Sequence, residues 1–166
     1  IGLLMEATAQ TDFSLLQPQP RQAYYRFLSA VYEPNPGQHI FLDPAQPMHG
    51  AAAMINAFLR EKGKDTLAVK LFEEADSMET GIVLGVRSAV VNRMLARFDD
   101  QFVQVTADFP GPEGYVLDAI PWRILISGSD EAGLYYGVDT FLKLLYPTQQ
   151  WWGLEACRIV DRPQFP

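Results

Sequence analysis

Between Tyr115 and Leu145 the spacing of apolar residues switches from two to about 3.6, which calls for a helix packed directly on a strand pair. Tyr115, Leu117 and Ala119 alternate with Val116, Asp118 and Ile120, and Ile124 and Ile126 continue a second alternating run. That is the pattern of half-buried strands. Ile120-Pro121-Trp122-Arg123 is the turn between them, too short for a crossover, so the pair is antiparallel. From Ser129 onward, Leu134, Val138, Phe141, Leu142 and Leu145 recur at helical spacing and form one apolar face. Ser129 stands where a side chain caps the first turn, and Asp130 and Glu131 sit at the positive end of the helix dipole. Gly133 and Gly137 lie one turn apart and leave a groove where another backbone can approach. Pro147 ends the helix.

The upstream chain supplies the other elements. Gln17 to Gly37 is rich in Pro and polar residues around one apolar patch, Tyr24 to Tyr32, which reads equally as a helix or an irregular strand. His39 to Leu42 is a short strand ended by Asp43-Pro44, and Pro47 to Lys62 places Met48, Ala52, Ile55 and Leu59 at helical spacing before Gly63. Val69 to Phe72 and Gly81 to Gly85 are two more strands, the second apolar on both faces and therefore central. Glu73 to Asp76 and Asp99-Asp100 read as solvated acidic turns, and Ser88 as the cap of a helix burying Val91, Met94, Leu95 and Phe98. This order predicts an α+β fold, a two-layer α/β domain whose mixed sheet carries its helices mainly on one face. A doubly wound fold is disfavoured by the tight turn at Pro121 and by the lack of a phosphate-binding glycine loop after any strand.

A chain of 166 residues is one domain's worth and long enough to bury a core without staples. Hydrophobic residues at 48% and charged residues at 20% give the balance of a folded protein. The net charge of −7 argues against a nucleic-acid partner, because phosphate binding needs a basic surface. The single Cys157 has no internal disulfide partner and reads as a small buried hydrophobe. No apolar run reaches the roughly 18 residues of a membrane span. Ile1 to Met5 followed by Ala7-Thr8-Ala9-Gln10 reads as the tail of a secretory signal cleaved before Gln10, or as an amphipathic N-terminal segment. The first reading makes the protein secreted or periplasmic.

The residues from Glu113 onward resemble the signature of the small domain that precedes the catalytic barrel in glycoside hydrolase family 20, the β-N-acetylhexosaminidases. The positions that carry the resemblance are Glu113-Gly114-Tyr115, Leu117, Ile124, Ile126, Ala132-Gly133, Tyr136-Gly137, Thr140 and Leu144-Leu145. Ile159 to Pro166 is similar to the family's entry into the barrel, with Gln164 in place of an Arg. Related small domains precede the barrels of family 84 O-GlcNAcases and α-glucuronidases, so an α-glucuronidase or family 84 parent is the alternative. The resemblance implies a non-catalytic N-terminal accessory domain of a carbohydrate-active hydrolase, whose partner is the catalytic barrel of the same parent chain. It divides the chain into an extension over 1–14, the small domain over 15–160 and a linker start over 161–166. In the family, the substrate-binding Arg and the catalytic Asp-Glu pair lie downstream of the equivalent of Pro166, so the resemblance transfers no catalytic role to any residue here.

A search for chemistry gives no catalytic, cofactor-binding or metal residues. Glycoside hydrolysis uses two carboxyl groups, or one acid with the substrate's own N-acetyl oxygen in the family resembled. The one Asp-Glu pair, Asp130-Glu131, occupies a helix start and reads as structural. His39 and His49 are the only histidines and match no metal-ligand spacing. Ser127-Gly128-Ser129 is a strand-to-helix turn, not a nucleophile elbow. What remains is aromatic. Trp122, Trp151 and Trp152, with Tyr135, Tyr136 and Tyr146, form either a platform on which glycan rings stack or a seam against a neighbouring domain. The seam is the favoured reading, because Trp151 and Trp152 lie in the connector before the exit strand.

Overall fold

The computed structural model describes residues 11–16, 19–34, 36–97, 99, 101–148 and 152–163. The expectations placed on the N-terminal ten residues, Phe98, Asp100, Trp151 and the Gln164-Phe165-Pro166 ending lie outside the described residues. In chain order the elements are β1 (Gln22–Tyr32), β2 (His39–Leu42), α1 (His49–Glu61), β3 (Ala68–Leu71), β4 (Gly81–Val86), α2 (Ala89–Ala96), β5 (Tyr115–Ile120), β6 (Arg123–Gly128), α3 (Glu131–Leu144), β7 (Tyr146–Pro147) and β8 (Trp152–Asp161). Two 3-10 turns, Phe13–Leu15 and Glu74–Met78, complete the set.

The strands form one mixed sheet in the order β1-β8-β5-β6-β4-β2-β3, with β7 pairing beside β8. From β3 through β2 and β4 to β6 the pairs are parallel, and from β6 through β5 and β8 to β1 they are antiparallel. The β5–β6 turn is the two-residue connection expected, with Ile120 opposite Arg123. β4 is central and buried throughout.

Each face of the sheet has its own core. Ile40, Leu42, Ile82, Leu84, Ile124, Ile126 and Leu117 meet Ile55 and Leu59 of α1 and Leu134, Val138 and Phe141 of α3 on one side. Phe41, Val83, Leu125 and Val116 meet Val91, Met94 and Leu95 of the shorter α2 on the other. Alternate residues of a strand point to opposite faces, and this separates the two sets. Each large side chain so buried stabilises the fold by about 1.5–3 kcal/mol relative to exposure. The fold is therefore α+β, with two of the three helices among the described residues on one face of the mixed sheet.

Several local expectations are resolved or corrected. Tyr24 to Tyr32 is strand, and its pairing with β8 shifts register between Tyr25 and Phe27 and again between Phe27 and Val31. Those irregularities erase the clean alternation that would have marked it. Asp130, not Ser129, caps α3: its Oδ1 accepts from the Gly133 N–H at 2.8 Å. The Ser129 N–H is already given to the Gly114 carbonyl at 2.8 Å, and its hydroxyl accepts from the Gly111 N–H at 3.4 Å. Glu73 to Asp76 is not a freely solvated turn, since Asp76 is buried at 8% exposure and bonded to Lys70 at 2.9 Å. Asp99 is likewise held, 2.6 Å from Arg158.

Candidate functional site

The signature residues converge where the chain enters β5 and α3 begins. Glu113 has φ +60, a left-handed conformation uncommon outside glycine, and its N–H donates to Asp130 Oδ2 at 2.8 Å. One carboxylate thus caps the helix and fastens the turn before β5. Gly114 follows, and its carbonyl lies against Gly133 so closely that a Cβ on Gly133 would overlap the Gly114 oxygen. One turn later, a Cβ on Gly137 would stand 2.6 Å from Ile126 Cγ2 and 3.2 Å from the Tyr115 ring. The two glycines let α3 lie directly on β5 and β6, as the helical spacing requires. The Tyr115 hydroxyl and Thr140 Oγ1 are 2.6 Å apart across this contact, and burial pushes the phenol above its ordinary value. Every one of these signature groups points inward or bonds to a neighbour in the chain.

Two buried polar networks were not foreseen. On the α2 side, Arg158 of β8 is 3% exposed; its Nε donates to Asp118 of β5 at 3.2 Å, Nη1 to Asp99 at 2.6 Å and Nη2 to the Leu95 carbonyl at 3.3 Å. Its guanidinium also lies 5.3 Å from the Phe102 ring centroid. An Asp at an inward position of an apolar strand was the available signal for it. At the far side, Glu155 of β8 is 2% exposed and accepts from the Thr11 N–H at 2.8 Å, the Thr11 hydroxyl and the Tyr146 hydroxyl at 3.0 Å. Burial, with the Glu155 bond second, raises the Tyr146 phenol. Nothing near Glu155 in sequence announced a partner at Thr11.

Among the described residues the candidate aromatics have separate surroundings. Trp122 caps the β5–β6 turn with 45% of its surface exposed. Trp152 is half-buried: the Phe58 ring of α1 meets it edge-on at 5.7 Å, and the Lys62 ammonium lies 5.2 Å from its centroid. Those contacts hold Trp152 against α1. Tyr135 packs on the larger core, Tyr136 is exposed, and Tyr146 is bonded to Glu155. Trp151 lies outside the described residues.

An open cleft of about 550 Å³ lies beside α2, lined by Arg87, Asn92, Arg93, Gln104 and Thr106 among others, with no carboxylate in its wall. Asn92 is occupied in tying α2 to Val105, accepting from its N–H at 2.9 Å and donating to its carbonyl at 3.1 Å. Arg123, beneath Trp122, donates to the Ser77 carbonyl at 2.5 Å and so pins the Glu74–Met78 turn to the sheet, while burial lowers its guanidinium from the ordinary value. His39 stacks at 5.6 Å on Phe41, and His49 opens α1 at the surface. Among the described residues no group of three or more His, Cys, Asp or Glu side chains is placed to hold a metal, and no helix is long and apolar enough to cross a membrane.

Solved structures share this arrangement. The β-hexosaminidase of Streptomyces plicatus superposes with a TM-score of 0.66 at 23% identity, over 93% of this chain and 27% of that one. The GH20 β-N-acetylhexosaminidase of Streptomyces coelicolor A3(2) gives 0.59 at 21% identity over 93% and 28%. The GH20 exo-β-N-acetylglucosaminidase of Vibrio harveyi gives 0.61 at 15% identity over 95% and 20%. At such identities the likeness shows the fold, and the chain spans about a quarter of the length of the first relative. No curated protein sequence matches the chain. The family model for glycosyl hydrolase family 20, domain 2, matches residues 15–162. That match takes in every strand and helix among the described residues and the glycine contacts between Gly114 and Gly133, so the chain belongs to glycosyl hydrolase family 20 as its domain 2, an accessory domain.

Proposed function

We propose that this domain supports, without catalysing, a β-N-acetylhexosaminidase: it packs against the catalytic barrel of the same polypeptide, and that barrel releases terminal N-acetylhexosamine. The observation that carries this reading is the use of the signature itself. Glu113, Gly114, Tyr115, Gly133, Gly137 and Thr140 are engaged in seating α3 on the sheet, so the motif encodes architecture and leaves the chemistry to another domain. The names of the solved relatives support the hexosaminidase parent. On this reading 1–14 is an extension, 15–160 the domain and 161–166 the start of the linker. The Ala7-Thr8-Ala9 tripeptide before Gln10 supports export of the parent, which suits an enzyme of external carbohydrate metabolism.

The test is hydrolysis of aryl N-acetylglucosaminide, N-acetylgalactosaminide and glucuronide by this chain and by its parent polypeptide side by side. Turnover of an N-acetylhexosaminide by the parent alone is the expected result. Turnover by this chain alone, or glucuronide as the parent's substrate, overturns the proposal.

A further inference from the structure

The cleft of about 550 Å³ beside α2 is basic, in a chain whose net charge is −7. From Thr80 to Arg97 the sequence carries three arginines and no Asp or Glu, and two of those three, Arg87 and Arg93, line the cleft. Arg87 is the residue after β4, at the carboxyl end of a strand with parallel neighbours on both sides. The adjacent β2 leads into α1 on one face of the sheet, whereas β4 leads into α2 on the other. Where successive connections part to opposite faces, the strand ends leave a crevice, and open α/β sheets take their ligands there. Arg87 is held in place. Its φ of +44 lies in the left-handed region that a residue with a Cβ seldom adopts. Its N–H donates to the Gly128 carbonyl at 2.9 Å and its Nη1 to the Ser129 carbonyl at 3.3 Å. A guanidinium has five N–H donors, and the Ser129 contact uses one of them. Arg93 meets Glu74 at 2.6 Å in solvent, a kind of pair that contributes little and yields to a competing oxyanion.

We propose that this cleft binds an anionic sugar unit of a glycan, one that bears a carboxylate or a sulfate, with Arg87 and Arg93 on the charged group. Guanidinium forks match the paired oxygens of such groups and form charge-assisted hydrogen bonds with them. The volume lies within the range of about 300–1,000 Å³ that small-molecule sites occupy, and an inorganic anion alone would fill only a corner of it. The remaining wall suits the ring. Gln104 presents an exposed amide that can both donate to and accept from sugar hydroxyls. The Thr106 hydroxyl accepts from the Asp108 and Phe109 N–H groups at 3.2 Å each, so its own hydrogen is the group it offers a ligand. Ala89 and Ala96 are small and exposed, leaving room for the apolar face of a ring along α2. The Asn92 amide, bonded to Val105, holds the two walls at a fixed separation. Binding here involves no bond-making and is separate from the supporting role proposed above.

The experiment is a titration of this chain, followed by its backbone amide NMR shifts, with methyl β-glucuronide, N-acetylglucosamine 6-sulfate, neutral methyl β-glucoside and inorganic sulfate. At least one of the charged sugars is expected to shift the amides of Ala89, Gln104 and Thr106 with a Kd of about 0.1–1 mM, and the neutral sugar to bind at least roughly tenfold more weakly. Which charged sugar binds more tightly tells whether carboxylate or sulfate is the preferred group. Arg93→Met is expected to weaken binding about tenfold. Ala89→Glu is expected to weaken it as much without removing an arginine, and it places its carboxylate in the first turn of α2, where the helix dipole favours one and folding is kept. Arg60→Met, which removes the same charge from α1 on the other face, leaves Kd unchanged. Urea midpoints verify that each variant is folded. The proposal is overturned if neither charged sugar binds, if the neutral sugar or inorganic sulfate binds as tightly, or if Arg60→Met weakens binding as much as Arg93→Met.

Discussion

At the residue scale, the determining contacts are those that admit no side chain. Gly133 faces a carbonyl of the main chain, which cannot swing aside, so Gly133→Ala is expected to cost about 2–3 kcal/mol, read as a fall in the urea midpoint. Gly50 offers the contrast. A Cβ there would overlap only the Tyr135 hydroxyl, the far end of a movable side chain, and alanine favours helix, so Gly50→Ala stays within about 1 kcal/mol of neutral. The buried Arg158 network gives the second test at this scale. Asp118→Leu leaves a guanidinium 3% exposed with one carboxylate fewer and is expected to cost about 3–5 kcal/mol. Adding Arg158→Met removes the stranded charge, so the double variant is more stable than Asp118→Leu alone.

At the element scale, the edge strand β3 is fastened from below by the Glu74–Met78 turn. Burial alone would raise the Asp76 carboxyl, but the Lys70 ammonium at 2.9 Å and the Glu73 N–H at 2.8 Å outweigh it and hold the group below its ordinary value. A depressed folded value stabilises above the unfolded one and is lost as pH falls through the folded one. Asp76→Asn is therefore expected to be less stable than the parent sequence at pH 6, with the gap closing as pH drops below about 3.9, the ordinary Asp value. Urea unfolding of both proteins across that range measures it. A gap that widens toward acid would contradict the assignment.

For the molecule as a whole, the strand order closes the sheet late. β8 lies between β1 and β5, so the first and last long strands are neighbours, and β8 also carries Glu155 and Arg158 into the two polar networks. A chain truncated after Pro147 would lose the partner of β1 and bare the inner edge of β5. It is expected to show no cooperative urea transition, whereas Trp122→Ala, at the exposed turn, keeps the transition with its midpoint little changed. Contacts between distant segments must also form before they reward the chain, so folding belongs to the slower range for mixed domains of this size.

The sequence by itself determined the elements with a strong period: β4, β5, β6, α1 and α3, the Ser88 cap of α2, and the two-residue turn at Pro121, all of which depend on neighbours a few residues apart. The glycine spacing of α3 was legible for the same reason, and with it the family. Only the tertiary structure decided the rest. β1 was ambiguous because its bulges are answered by β8, more than a hundred residues on, not by local alternation. Asp99 and Asp76 read as solvated because a charge looks the same in sequence whether water or an arginine faces it; Arg158 lies 59 residues from Asp99, and strand order alone brings them together. The surroundings of Trp152 were equally illegible, since the Phe58 ring and the Lys62 ammonium beside it come from a helix far away in the sequence. Local periodicity is written in adjacent side chains, while the partner of a buried charge or an aromatic ring is set by which strands become neighbours.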